Sequence, residues 1–427
     1  MVIEINPNVL SGTVRAPFSK SDAHRVLIAS ALCRDSTEIC LSCESDDIQA
    51  TVRCLEALGA SLLEIGENRF RMNPILPQRG TLLSRLDCGE SGTTLRLLLP
   101  VAAALGVNAE FAAQGRLPNR PLTELIAEIT NHGCRFDGEK LPFTLNGKLT
   151  AGDYNLPGNV SSQYISGLLF ALALTDGESR IILTTKLESA AYVAMTLNTL
   201  RAFDVNVSET DYGYFIAGNQ DYKSPDVTVV EGDWSNAAFF LAAGVLGNPV
   251  TVTGLSESSL QGDKTICELL SRFGADVSLE NDAVTVNAGE LRGIDIDVSE
   301  VPDLFPVLAV VASAASGTTR LMNAARLRIK ESDRIHTVAN MLSSLGAKVQ
   351  EKPDMLIIHG KGHLDGASVD GGGDHRIVMA AAVASLLCKT PVRISGAEAV
   401  NKSYPQFFNA FNAIGGNAYR VGGGQEV

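Results

Sequence analysis

The sequence predicts an α/β protein of two domains, each made of three copies of a strand–helix–strand–helix–strand–strand (βαβαββ) unit. Three observations carry this. A helix that stops at Gly and runs into a strand recurs along the chain. A short strand ending in a turn of Gly, Ser and Asp before an apolar helix recurs with the same period. The two chain ends each hold an unpaired piece of the same unit.

The helix stops read "LEALGASL", "EITNHGCRF", "LRAFDVNV", "LLSRFGADV", "MLSSLGAKV" and "NAIGGNAYRV", with Gly59, Gly133, Asp204, Gly274, Gly346 and Gly415 at the stop. They are spaced by 74, 71, 70, 72 and 69 residues. A helix commonly ends on a residue of left-handed backbone, which Gly adopts freely and Asp or Asn tolerates, so Asp204 fits the series. The turns read "PFSKSDAHR", "DCGESGTTLR", "PGNVSSQY", "EGDWSNAAFF", "SEVPDLFPV" and "GGGDHRIVM". A second polar helix start follows in every copy: "ESDDIQ", "LPNRPLTE", "LESAAY", "LQGDKT", "IKESDR" and "NKSYPQ". Solenoid repeats usually run to about 20–45 residues, so a unit of about 70 with two helices is a small layered fold. The last unit, stopping at Val421, lacks a closing strand, while "VIEI" at residues 2–5 precedes the first unit without a partner. If the ends complete one another, the chain crosses between domains near Pro17 and near Glu231. The expected domains are then 1–16 with 231–427, and 17–230.

The chain has 427 residues, 45% hydrophobic and 19% charged, enough for two or three cores. Runs such as "LLFALAL" and "FFLAAGVLG" stop well short of the roughly 18 apolar residues of a membrane span. The start lacks the basic-then-apolar pattern of a secretory signal, which leads us to expect a cytoplasmic protein. A net charge of −13 argues against a nucleic-acid or anionic-membrane partner. Of the eight cysteines, Cys40 and Cys43 in "CLSC" have C-x-x-C spacing, but they lie at a strand with no second pair, and ordinary packing is the better reading. His359 and His363 in "HGKGH" sit on a Gly-rich strand end, so no metal is expected. "GGGDHR" is not a dinucleotide fingerprint and "GESGTTLR" is not a phosphate-binding loop of the nucleotide type, so no cofactor is expected either.

Helix starts offer free N–H groups and the positive end of a dipole. Twelve of them from like units can point the same way and converge on the gap between domains. Cations cluster at these starts: Lys20 and Arg25, Arg96, Arg116 and Arg120, Lys330 and Arg334, Arg376, Lys402. In "IKESDRI" the sequence reads as a first helical turn with Lys330 and Arg334 on one face, where each opposes the dipole unless an anion lies between them. Singly, each cation reads as well as a solvated charge; as a set they imply a ligand with more than one anionic group. Ser21, Ser161, Ser162, Gln163 and Ser189 suit a hydroxylated ring, or cap helices. Asp303 and Glu331 are carboxylates beside cations, able to stay ionised and take a proton, or again to cap helices. His375, between Asp374 and Arg376, can contact an anion or move a proton, or simply pack locally.

The motifs "KSDAHR", "GESGTTLR", "LPNRP", "VSSQ", "EGDWSNAAFF", "QGD", "VPD", "RIKESDR", "GDHR" and "NKSYP" stand in the order found in the 3-phosphoshikimate 1-carboxyvinyltransferase (5-enolpyruvylshikimate-3-phosphate synthase) family, which the whole chain resembles. The resemblance implies the enolpyruvyl transferase fold with its active site in an interdomain cleft. It also implies transfer of the carboxyvinyl group of phosphoenolpyruvate to the 5-hydroxyl of shikimate 3-phosphate, in aromatic amino acid biosynthesis, by a monomer. Phosphoenolpyruvate would meet Lys20, Gly92, Arg120, Gln163, Arg334, Arg376 and Lys402. Shikimate 3-phosphate would meet Ser21, Arg25, Ser161, Ser162, Gln163, Ser189, Asp303 and Lys330. Proton transfer would fall to Asp303, Glu331 and Lys20, with His375 nearby. Glu90, Ala23, Trp234, Arg326 and "SAAY" depart from the family pattern, and Glu90 bears most directly on phosphoenolpyruvate and the herbicide glyphosate. The rival readings are transfer of the same group to UDP-N-acetylglucosamine, and a non-catalytic anion-binding relative. An RNA-end cyclase would want a basic surface, which the charge does not supply.

Overall fold

The computed structural model describes residues 1–76, 83–138 and 140–422. They form two compact units, Met1–Ser19 with Glu231–Val427, and Lys20–Val230. Six four-stranded sheets are present among the described residues, all of one plan. In the sheet of Ser84–Asp87, Ala109–Ala112, Phe143–Gly147 and Cys134–Phe136, taken in spatial order, the first pair is parallel and the others antiparallel. A helix crossover makes the parallel pair and a hairpin closes the sheet. Alternation decides the faces: in "VTVT", Val250 and Val252 are buried, and in "AVTVN", Val284 and Val286 lie opposite them.

The helices that follow the Gly/Ser/Asp turns are buried along most of their length. They are Lys20–Ala31, Gly92–Leu105 and Ser162–Leu172 in one unit, and Trp234–Val245, Phe305–Ala314 and His375–Ala384 in the other. The second helix of a unit is amphipathic instead. Ile266–Phe273 buries Ile266, Leu269, Leu270 and Phe273, one stripe at helical spacing. All six helix stops take left-handed backbone, with φ of 106° at Gly59, 99° at Gly133, 62° at Asp204, 114° at Gly274, 79° at Gly346 and 103° at Gly415.

Val2–Ile5 lies between Val392–Ser395 and Ala418–Arg420, antiparallel to both, and is the closing strand of the last sheet. At the two crossings, strand and following helix part company. Gly12–Arg15 pairs with Val250–Thr253 while the helix after it belongs to the other unit. Val227–Val229 pairs with Thr37–Cys40 in the reciprocal way. The crossing backbones are themselves bonded: Ser19 N donates to Glu231 O at 2.7 Å and Asp233 N to Pro17 O at 2.8 Å. No helix among the described residues is long and apolar enough to cross a membrane.

Two helices that carry candidate site residues pack through one glycine. Pro100 lies inside Gly92–Leu105 and has no N–H to give Arg96 O, the acceptor one turn back. Gly167 lies against that carbonyl: a Cβ there would overlap Arg96 O and come within 2.9 Å of Pro100 Cγ. Gly167→Ala should therefore force the helices apart and destabilise the protein by about 1–3 kcal/mol, read as a lower midpoint of thermal unfolding.

Candidate active site

In the Lys20–Val230 unit, side chains tie the helix starts to one another. Lys20 opens its helix and donates from Nζ to Asp47 Oδ2 at 2.9 Å, in the first turn of Asp46–Ala57. Arg25 is buried, donating to Ser21 O at 2.5 Å, Thr196 Oγ1 at 2.8 Å and Tyr192 O at 2.7 Å. Burial pushes its pKa down to about 10, still charged at neutral pH. These bonds bring Ser21 to the start of the Ala190–Ala202 helix, whose cap residue is Ser189, buried and left-handed at φ 56°.

Gly92 opens Gly92–Leu105 after its cap Ser91. A Cβ at 92 would stand 2.8 Å from a terminal nitrogen of both Arg96 and Arg120, so the absence of a side chain is what lets two guanidinium groups approach this helix start. Arg96 donates to Gln163 Oε1 at 2.9 Å and to Pro121 O at 3.3 Å. Gln163 Nε2 donates to Thr93 Oγ1 at 2.8 Å. Ser161 caps Ser162–Leu172 by accepting from Gln163 N at 3.3 Å. Gly92, Arg120 and Gln163 thus share one patch where two cations and free helix N–H groups can hold an anion.

The other unit has a denser cluster. Arg334, 1% exposed, donates from Nη1 to Asp303 Oδ1 at 2.6 Å, from Nη2 to Glu331 Oε2 at 2.7 Å and from Nε to Asp374 Oδ2 at 2.9 Å. Burial works against its charge, but Asp374, Glu331 and Asp303 hold it more firmly protonated than an ordinary arginine. Arg376 Nη2 donates to Asp303 Oδ2 at 3.0 Å. Burial would raise the Asp303 pKa, yet Arg376, Arg334 and Lys330 outweigh it and keep the carboxyl well below the usual range. Burial pushes the Lys330 ammonium down to about 8, with Asp303 offsetting part of the fall. Lys402 Nζ donates to Gly373 O at 2.6 Å, beside the Asp374 cap of His375–Ala384. His375 is buried there, its Nδ1 3.8 Å from Asp374 Oδ1.

The structure corrects one local expectation. Lys330 and Arg334 are not on one helical turn. The helix runs Arg334–Ser344 because the Asp333 side chain caps it by accepting from His336 N at 3.1 Å, and Lys330 is extended, ending the 3-10 turn Ala325–Ile329. The anions that answer Arg334 are the protein's own carboxylates. Sequence reasoning left two groups without a role here. Asp374 entered the sequence reading only as the neighbour of His375 in "GGGDHR". Asp263, from "QGD", is 3% exposed, accepts a bond from Ser235 Oγ, and is raised to about 7 by burial and then by the charge of Asp303. Among the departures, Trp234 and Ala23 are absorbed into the core, and Arg326 donates to Ser299 O at 2.8 Å. Glu90 is exposed and lies over Gly115, where a Cβ would overlap its carboxylate. Among the described residues no three His, Cys, Asp or Glu stand together as a metal site would need.

Comparison with known proteins covers nearly the whole chain. Residues 5–411 match the family model of EPSP synthase (3-phosphoshikimate 1-carboxyvinyltransferase). A 3-phosphoshikimate 1-carboxyvinyltransferase of Clostridium kluyveri is 44% identical over 419 residues, 97% of either chain. One of Clostridioides difficile is 41% identical over 427 residues, again 97% of each. The structure of EPSP synthase from Acinetobacter baumannii superposes with a TM-score of 0.83 at 26% identity, covering 98% of this chain and 100% of that one. The enolpyruvyl transferase NikO from Streptomyces tendae, at 18% identity and a TM-score of 0.80, shares the fold. With the family model and these relatives spanning nearly its full length, the chain belongs to the EPSP synthase family, the 3-phosphoshikimate 1-carboxyvinyltransferases.

Proposed function

We infer that this chain transfers the carboxyvinyl group of phosphoenolpyruvate to the 5-hydroxyl of shikimate 3-phosphate and releases phosphate. The observation that carries the chemistry is the buried Arg334 shared by Asp303 and Glu331, with Arg376 and Lys330 beside them. Two carboxylates poised on cations are what a reaction needs that removes a proton from one substrate and adds one to the other.

In the first half-reaction the 5-hydroxyl oxygen bonds to C2 of phosphoenolpyruvate, its proton leaves to Asp303, and C3 takes a proton to become methyl. In the second, the C2–O bond to phosphate breaks and C3 returns a proton, giving the enol ether. Glu331 and Lys20 are assigned to the protonation at C3 and to the departing phosphate. The ion pairs supply the timing. While Arg334 and Arg376 are held by Asp303, that carboxylate is a weak base. Substrate carboxylate and phosphate compete for the same guanidinium groups, and as they take them over, burial raises the basicity of Asp303. The cations then face the charge that develops in the transition state, usually the largest catalytic term. We take the protein to act as a cytoplasmic monomer.

Phosphate should be released from phosphoenolpyruvate in the presence of shikimate 3-phosphate and not of UDP-N-acetylglucosamine; the opposite preference would refute the assignment. Asp303→Asn and Glu331→Gln should each lower kcat by about 10²–10⁴ while binding of both substrates, followed by calorimetry, survives. Lys330 attracts phosphate as an ammonium group, which titrates at about 8. Hence kcat/KM for shikimate 3-phosphate should fall as the pH rises through that value, and Lys330→Arg, charged throughout, should move the fall to higher pH. A profile flat to pH 10 in the parent protein would exclude this role.

A further inference from the structure

Four buried side chains form one hydrogen-bonded chain through the Lys20–Val230 unit. His24 Nδ1 meets Thr51 Oγ1 at 2.7 Å, Thr51 Oγ1 meets Thr94 Oγ1 at 2.6 Å, and Thr94 Oγ1 meets Ser91 Oγ at 2.8 Å. Exposure is 0% at His24, Thr51 and Thr94 and 1% at Ser91. The members come from the Lys20–Ala31 helix, the Asp46–Ala57 helix, and the cap and first turn of Gly92–Leu105. Ser91 Oγ also accepts from Thr94 N at 3.2 Å, so the chain ends on the cap of the helix that Gly92 opens.

The chain has a direction. Each hydroxyl owns one proton, and Thr94 Oγ1 gives its own to Ser91 Oγ, so Thr51 Oγ1 donates to Thr94 Oγ1 and is left to accept from His24. His24 Nε2 is buried with no hydrogen-bond partner among the described residues. As with main-chain groups, a buried N–H without an acceptor is rarer than a bare acceptor. The proton therefore sits on Nδ1: His24 donates to Thr51, Thr51 to Thr94, and Thr94 to Ser91. Burial, then the charges of Lys20 and Arg25, keep the imidazole neutral. The first two of these helices are tied a second time where Lys20 donates to Asp47. Apolar packing brings helices together over a range of small slides. A satisfied chain of directed hydrogen bonds selects one of them.

We propose that His24, Thr51, Thr94 and Ser91 are positioning residues that set the Gly92 helix start against Lys20, and thereby set the affinity for phosphoenolpyruvate. The inference rests on the functional reading above, in which Lys20 and Gly92 meet that substrate. None of the four is assigned a contact with it.

Thr51→Val keeps the shape and removes both links; Thr51→Ser keeps the hydroxyl. The Val variant should raise KM for phosphoenolpyruvate by about tenfold, the weight of one hydrogen bond, with kcat and KM for shikimate 3-phosphate changed by no more than about threefold. The Ser variant should restore KM. Thr94→Val and Thr94→Ser cut and restore the next link, and decide the matter if Thr51→Val does not fold. A folded Val variant with the parent's KM overturns the proposal, as does an equal loss in every kinetic constant that tracks a fall in Tm. Because the parent protein is assayed alongside, absence of turnover there would count against the functional reading and not against the positioning role.

Discussion

A guanidinium almost without water around it must be met by anions, and Arg334 draws three of them to one point. Asp303 comes from the turn before the Phe305–Ala314 helix, Glu331 from the segment before Arg334–Ser344, and Asp374 from the cap of His375–Ala384. One buried charge thus fixes where three polar helix approaches of this unit stand relative to each other. Removing a partner from such a group leaves an uncompensated charge in a low dielectric, which is far costlier than the pair is stabilising. The same constraint sets the chemistry: the charges that hold the unit's polar centre together also keep Asp303 ionised.

The Lys20–Val230 unit solves the corresponding problem with space and hydroxyl groups. Gly92 leaves room for Arg96 and Arg120 at a helix start, and Gly167 lets two buried helices approach until one touches the carbonyl that Pro100 leaves without its helical donor. Arg96 donates to the Gln163 amide oxygen and to the Pro121 carbonyl. Dipoles of that kind orient a cation.

Much of this was legible in the chain. The period of about 70 residues and the Gly or Asp at each helix stop announced the repeated unit, and all six stops have the left-handed backbone that they imply. Ordered motifs pointed to the family. Other features were out of reach. The Arg334 helix begins after Asp333 and not at Lys330, because a cap is decided by which side chain finds a free N–H, and Glu331, Ser332 and Asp333 in "IKESDR" compete for that place. His24, Thr51 and Thr94 read as ordinary members of helices until packing sets them in line.

Sequence alone determined what is local or periodic: strand faces from alternation, helix stops from the φ that Gly and Asp permit, and the unpaired strand at each end of the repeat. Tertiary structure decided which carboxylates face which cations, and how burial and neighbouring charge together lower Asp303 and Lys330 and raise Asp263. The reason is physical. Backbone conformation depends on neighbours in the chain, whereas the energy of a charge or a buried hydrogen bond depends on distance and dielectric, and both are set by residues tens to hundreds of positions away.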